Sequence, residues 1–70
     1  MTLRFLPEVL ERTRIKAGLS RDELAKAAGV ARGTVFNAEN GQQPRPGIAK
    51  ALADALDIDV ASLYAEEVAS

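Results

Sequence analysis

Cysteine and histidine are both missing from this chain of 70 residues. Without cysteine there is no disulfide scaffold and no thiolate metal site, a composition that suits a reducing cytoplasm. Without histidine, zinc sites built on imidazole and Ser-His or Cys-His catalysis are excluded. Long apolar runs are missing as well. The opening MTLRFLPEVLERT holds no stretch long enough for a signal peptide, and nothing approaches the roughly 20 apolar residues of a membrane span. No nucleophile–base pair, metal cluster or phosphate loop stands out. The close carboxylates Asp57 and Asp59 lie in a turn where helix capping accounts for them. The expectation is a cytoplasmic, non-enzymatic protein with no cofactor, no metal, no membrane association and no small-molecule ligand.

What is present fits one small domain, residues 1–70. A chain of this length buries only about 60% of its unfolded surface, so the core is small and the stability margin thin. The net charge is −1, but it is unevenly divided. All nine Lys and Arg lie in residues 1–50 with five acidic residues, giving +4; residues 51–70 hold five acids and no base, giving −5. Such asymmetry leaves room for one basic face on a chain whose other end is acidic.

Helical periodicity dominates, with no sustained period-two alternation. Pro7 opens a first helix running to about Ala17, with Leu6, Leu10 and the stem of Arg14 on one side, and Gly18 ends it. Ser20 and Glu23 form a capping box for a second helix, whose buried face holds Leu24, Ala25 and Ala28, and Gly29 stops it. In the segment ARGTVFNAENG, a third helix would place Val35 and Ala38 inward and Arg32, Gly33, Phe36 and Asn37 outward. Glycine inside a helix costs about 1 kcal/mol relative to alanine, so the outer face needs a reason to be smooth. After the loop QQPRPG, Pro46 opens a fourth helix to Leu56, and a fifth is expected over about Val60–Glu66. The expected architecture is all-α, a compact five-helix domain. Two short helices about a glycine turn, residues 21–39, form a helix-turn-helix pair.

The run R-IKAGLS-R-DELAKAAGVARGTVFNAENG, from Arg14 to Gly41, strongly resembles the Cro/repressor-type (Xre-like) helix-turn-helix family, including the DNA-binding domains of lambdoid phage repressors. An arginine late in helix one, then GLS, ELA, AGV and ENG stand in the family's order and spacing. The segment RPGIAKALADALDIDVASLY resembles the family's last two helices, so the likeness extends from about Leu6 to Tyr64. It implies sequence-specific binding of double-stranded DNA by a small transcriptional regulator of repressor type, with helix three (about 32–39) in the major groove. The alternative is a protein-binding module, such as an antitoxin, antirepressor or adaptor, that keeps the fold without reading DNA.

Carried over position by position, the resemblance puts Arg32, Gly33, Asn37 and Phe36 against base edges. Arginine pairs bidentately with guanine and asparagine with adenine. Phe36 either meets a thymine methyl or folds back over apolar surface. Phosphate contacts fall to Arg21, Thr34, Asn40, Gln42 and Arg45, helped by the N-terminal amides of helices two and four. Arg14 and Glu39 occupy positions paired in relatives, a structural ion pair that orients helix three. Family members commonly dimerise on DNA, and Ile58, Val60 and Tyr64 are the candidates for that surface, with Leu63 finishing the core. Two departures bear on affinity. Ala31 stands where a Ser or Thr often caps the recognition helix, and Gln42, Gln43 and Pro44 replace loop lysines or arginines. Weak monomer binding with a shallow salt dependence follows.

Overall fold

The computed structural model describes residues 2–67. In chain order the elements are β1 (Thr2–Phe5), α1 (Pro7–Lys16), α2 (Arg21–Ala28), α3 (Arg32–Glu39), α4 (Pro46–Ala55), a 3-10 turn (Val60–Leu63) and β2 (Tyr64–Glu67).

The helix boundaries follow from local chemistry. Proline at the start of α1 and of α4 gives up an amide that would have no partner there anyway. At α2 the capping box is complete. The Ser20 hydroxyl accepts the Glu23 amide at 3.1 Å, and the Glu23 carboxylate accepts the Ser20 amide at 2.8 Å. The Ser20 amide, helped by the Ser20 side chain, holds the Glu23 carboxyl below the usual carboxylate range. The helix ends at Gly29, whose φ of 70° is a left-handed conformation that a side chain resists. Asp57 adopts φ 57° after α4, while Asp59 caps the 3-10 turn by accepting the Ala61 amide at 3.1 Å. Of the two close carboxylates, only Asp59 acts as a cap among the described residues.

The core is built from Phe5, Leu10, Leu24, Ala25, Val35, Ala38, Ala49, Leu52, Ala53, Leu56 and Leu63. Every helix contributes, α4 most heavily, because it supplies Ala49, Leu52 and Ala53 from one face. Alanine at so many inner positions lets these short helices approach closely.

One expectation is corrected: among the described residues there are four α-helices, not five. The expected fifth, Val60–Glu66, is a single 3-10 turn that passes into β2. A helix this short cannot recover its nucleation cost alone. The chain instead finds partners across the fold. The Leu63 carbonyl accepts the Leu6 amide at 2.8 Å, and β2 pairs antiparallel with β1 in the register Thr2–Glu67, Leu3–Glu66, Arg4–Ala65 and Phe5–Tyr64. The Phe5 ring, buried in the core, meets Tyr64 edge-on at 5.6 Å. The fold therefore remains mostly helical with a small two-stranded sheet joining its two ends.

Phe5 and Leu3 test how the sheet is anchored. Phe5→Ala should destabilise by about 3–5 kcal/mol in urea unfolding, as for a buried aromatic. In dilute solution Leu3→Ala should stay within about 0.5 kcal/mol of wild type, because its side chain is over half exposed. Glu23 gives a pH signature. Its depressed pKa means that the capping contribution is complete above the ordinary glutamate pKa and is lost as pH falls through the lowered value. Glu23→Gln should flatten that acid limb in unfolding curves taken across the carboxylate range.

A candidate nucleic-acid interface

Three residues, Gly29, Val30 and Ala31, separate the end of α2 from the start of α3, so the two helices are forced to cross closely. α3 is split cleanly by burial. Val35 and Ala38 are fully enclosed in the core, whereas Arg32, Gly33, Phe36 and Asn37 are all exposed. No side chain caps its first turn, since Ala31 occupies that position. A methyl group added at Gly33 would meet nothing within 4 Å. Neither packing nor backbone angle requires glycine there, so the bare patch belongs to the outer surface alone.

The expected residues gather into two concavities on either side of α3. The first, about 650 Å³ and open, is lined by Arg14, Ser20, Arg21, Asp22, Arg32, Gly33 and Phe36. The second, about 390 Å³, brings Thr34, Asn37, Gln42 and Arg45 together with Gln43, Pro44 and Ile48. Asn40 lies just beyond α3, where one amide proton closes the helix on the Phe36 carbonyl at 2.9 Å. At the N-terminus of α2, the Glu23 amide is already taken by Ser20. The first turn of α4 has no side-chain cap.

Glu39 ties the first concavity together. Its carboxylate, with only 2% of the side chain exposed, accepts from Arg14 Nε at 2.6 Å, from a second Arg14 nitrogen at 3.2 Å, and from Arg21 Nε at 3.1 Å. Arg14 also donates to the Leu19 carbonyl at 2.8 Å, which holds the loop before α2. The Glu39 hydrogen bond raises the Arg14 pKa further above its ordinary value, outweighing the opposing effect of burial. Arg21 then lays its guanidinium 5.3 Å above the Phe36 ring. Phe36 is half exposed and is not part of the core; its apolar face is covered by Arg21. Arg21 bonds Glu39 only through Nε, so among the described residues its two terminal nitrogens keep their hydrogens available.

Arg32 faces Asp22 at 3.5 Å, an exposed and long contact. Asp22 is the residue that the sequence reading passed over on this face. It stands in the run SRDE, where it looks like ordinary first-turn acid, and only the helix crossing brings it to Arg32. The contact between Arg21 and Glu39 is hidden for the same reason. At the other end, Ile58, Val60 and Tyr64 are half-buried and packed against the core of their own chain. Val60 and Tyr64 also line an open groove with Leu3 and Pro46. Among the described residues, no group of three acidic side chains is placed to hold a metal ion.

Arg14 and Glu39 should be strongly coupled. Removing either partner of a buried ion pair costs about 3–5 kcal/mol, most of it from the charge left behind. Thermal or urea unfolding of Arg14→Met, Glu39→Leu and the double variant should give a double-variant loss well below the sum of the singles.

Known proteins share this helix-turn-helix arrangement. The profile of the helix-turn-helix family HTH_3 matches residues 10–63, while no curated protein matches by sequence. Among solved structures, the chain is similar to the restriction-modification controller protein C.AhdI from Aeromonas hydrophila, with 34% identity over 81% of this chain and 88% of that one and a TM-score of 0.77. It is also similar to SinR, the master regulator for biofilm formation, in complex with DNA, with 27% identity over 81% of this chain and 94% of that one and a TM-score of 0.77. The N-terminal DNA-binding domain of SinR from Bacillus subtilis, solved in solution, matches at 27% identity over 83% and 87% of the two chains, with a TM-score of 0.75. The chain belongs to the HTH_3 helix-turn-helix family, of Xre-like, Cro/repressor type.

Proposed function

We propose that the chain is a small DNA-binding transcriptional regulator of repressor type that lays α3 in the major groove. The observation that carries this reading is the division of α3: an inner face of Val35 and Ala38 without exposure, and an outer face of Arg32, Gly33, Phe36 and Asn37 left bare. The likeness to SinR in complex with DNA supports it. The chain is a binding protein and not an enzyme, and a cytoplasmic location fits a regulator that works on DNA.

In this reading Arg32 takes a guanine and Asn37 an adenine, while Gly33 lets the backbone approach the base edges. Arg32 must leave Asp22 to do so. An exposed ion pair is worth about 0–1 kcal/mol, whereas a bidentate arginine–guanine contact supplies about 1–3 kcal/mol of discrimination. The exchange therefore favours DNA. Arg21 need not move: it keeps Glu39 through Nε and offers its terminal nitrogens to a phosphate. Its guanidinium also holds the Phe36 ring on the groove side, in reach of a thymine methyl. Thr34, Asn40, Gln42 and Arg45 supply the remaining backbone contacts.

One such domain reads few base pairs, so the regulator acts as a homodimer on two half-sites about 34 Å apart. Val60 and Tyr64, which line the groove beside Leu3, contribute to that contact more than Ile58 does. A protein-binding module would instead use the same face for a polypeptide partner. The face's arginines, and neighbours that bind DNA, favour nucleic acid.

Site selection from random duplexes, followed by titration with Arg32→Ala, tests the reading. The variant should lose about 1–3 kcal/mol of discrimination at one guanine while keeping non-specific affinity. Arg45→Ala should weaken all sequences alike and reduce the salt slope by about one. If Arg32→Ala discriminates as wild type does, the base-reading role fails.

A further inference from the structure

The two-stranded sheet has an edge that its own chain leaves open. In an antiparallel pair, opposite residues alternate between exchanging hydrogen bonds and pointing their backbone groups away. The Leu6 amide bonds the Leu63 carbonyl, and Leu6 and Leu63 stand opposite each other in the register of the strands. Counting back, Arg4 and Thr2 bond β2, while the amide and carbonyl of Leu3 point to the outer edge of β1. The Leu3 side chain shares the sheet face of Phe5. Phe5 sinks into the core, but Leu3 is 56% exposed over an open, mostly apolar groove of about 760 Å³, with Pro46, Val60 and Tyr64 in its lining and Lys50 and Glu66 at the same groove. A two-stranded pairing that overhangs its core in this way is marginal, and a third strand would complete it.

We propose that a second copy of this chain docks on the outer edge of β1, two-fold about Leu3, to form a four-stranded sheet in the order β2–β1–β1–β2. This rests on the homodimer reading above and names its surface. Self-pairing about Leu3 closes as a two-fold dimer. Leu3 and the partner's Leu3 exchange two backbone hydrogen bonds and face each other across the apolar groove, with Thr2 opposite the partner's Arg4. No like charges stand opposite each other along the paired strands. The outer edge of β2 does not serve: a two-fold about Glu66 sets two carboxylates opposite each other, which destabilises the pair. A two-fold about Tyr64 finds 3-10 backbone, not strand, on one side. Carboxylates thus guard one edge of the sheet, and the other edge carries an exposed leucine.

Sedimentation equilibrium and amide hydrogen exchange, both run against protein concentration without DNA, test the inference. Wild type should self-associate, and its Leu3 amide should gain protection as concentration rises, while the Arg4 amide is protected throughout. Leu3→Pro removes the outward amide and the leucine side chain while leaving the bonded amides of Thr2 and Arg4 in place, and Leu3→Arg places two like charges on the axis. Each should keep the fold by circular dichroism and raise the self-dissociation constant by about tenfold or more. Both variants should still bind a single half-site as wild type does and lose only cooperative binding to paired half-sites. A wild-type monomer at high concentration, or a dimer with an unprotected Leu3 amide, or dimerisation of Leu3→Pro equal to wild type, would overturn the proposal. Concentration-dependent protection of Leu3 in a protein that binds no DNA would sustain the sheet dimer and sink the functional reading instead.

Discussion

A single buried carboxylate sets the geometry on which the rest of this domain depends. Glu39, at the last position of α3, reaches inward and is held by Arg14 from α1 and Arg21 from α2. Three helices therefore meet at one charge. Burying that charge is costly, and the Coulomb gain need not exceed the desolvation penalty. Its value lies in direction. A carboxylate locked by several donors gives α3 one angle of projection, where alanine and valine packing alone would tolerate rotation. Arg14 extends the constraint to the loop before α2 through the Leu19 carbonyl.

The outer surface inherits its order from that buried pair. Arg21 bonds Glu39 on one side and covers Phe36 on the other, so an aromatic ring that would otherwise wander is positioned by an ion pair beneath it. Arg32, one turn earlier, is held among the described residues by the long exposed contact with Asp22. The two arginines thus differ in kind. One is braced to present an aromatic ring and two terminal nitrogens that no other described residue takes; the other is loosely parked and released at small cost. A surface with fixed and exchangeable cations suits a ligand recognised by both backbone charge and base edges.

Much of the candidate interface was legible in the residue order. The capping box, the glycine at the end of α2 and the inward pair Val35 and Ala38 are local signals, each decided by backbone donors or by a 3.6-residue period. They sufficed to place α2 and α3 and to say which face of α3 is bare. What could not be read was the company those residues keep. Asp22 looks like ordinary first-turn acid, and Arg21 like a solvated cation. Only the crossing of α2 over α3 puts the first beside Arg32 and the second over Phe36.

The ends of the chain mark the same boundary more sharply. Helical periodicity and proline, glycine and serine placement determined four helices from the sequence by itself, because each depends on neighbours within a few residues. The segment after Asp59 was decided by tertiary structure. Its composition tolerates helix, but a helix there would be short, whereas pairing with Thr2–Phe5 gives its backbone groups partners and seats Tyr64 against Phe5. That partner lies some sixty residues away in the chain, and four residues alternating once leave no periodicity to detect. Hydrogen bonds between distant segments are invisible to local pattern, and only the packed core that brings both ends together makes them form.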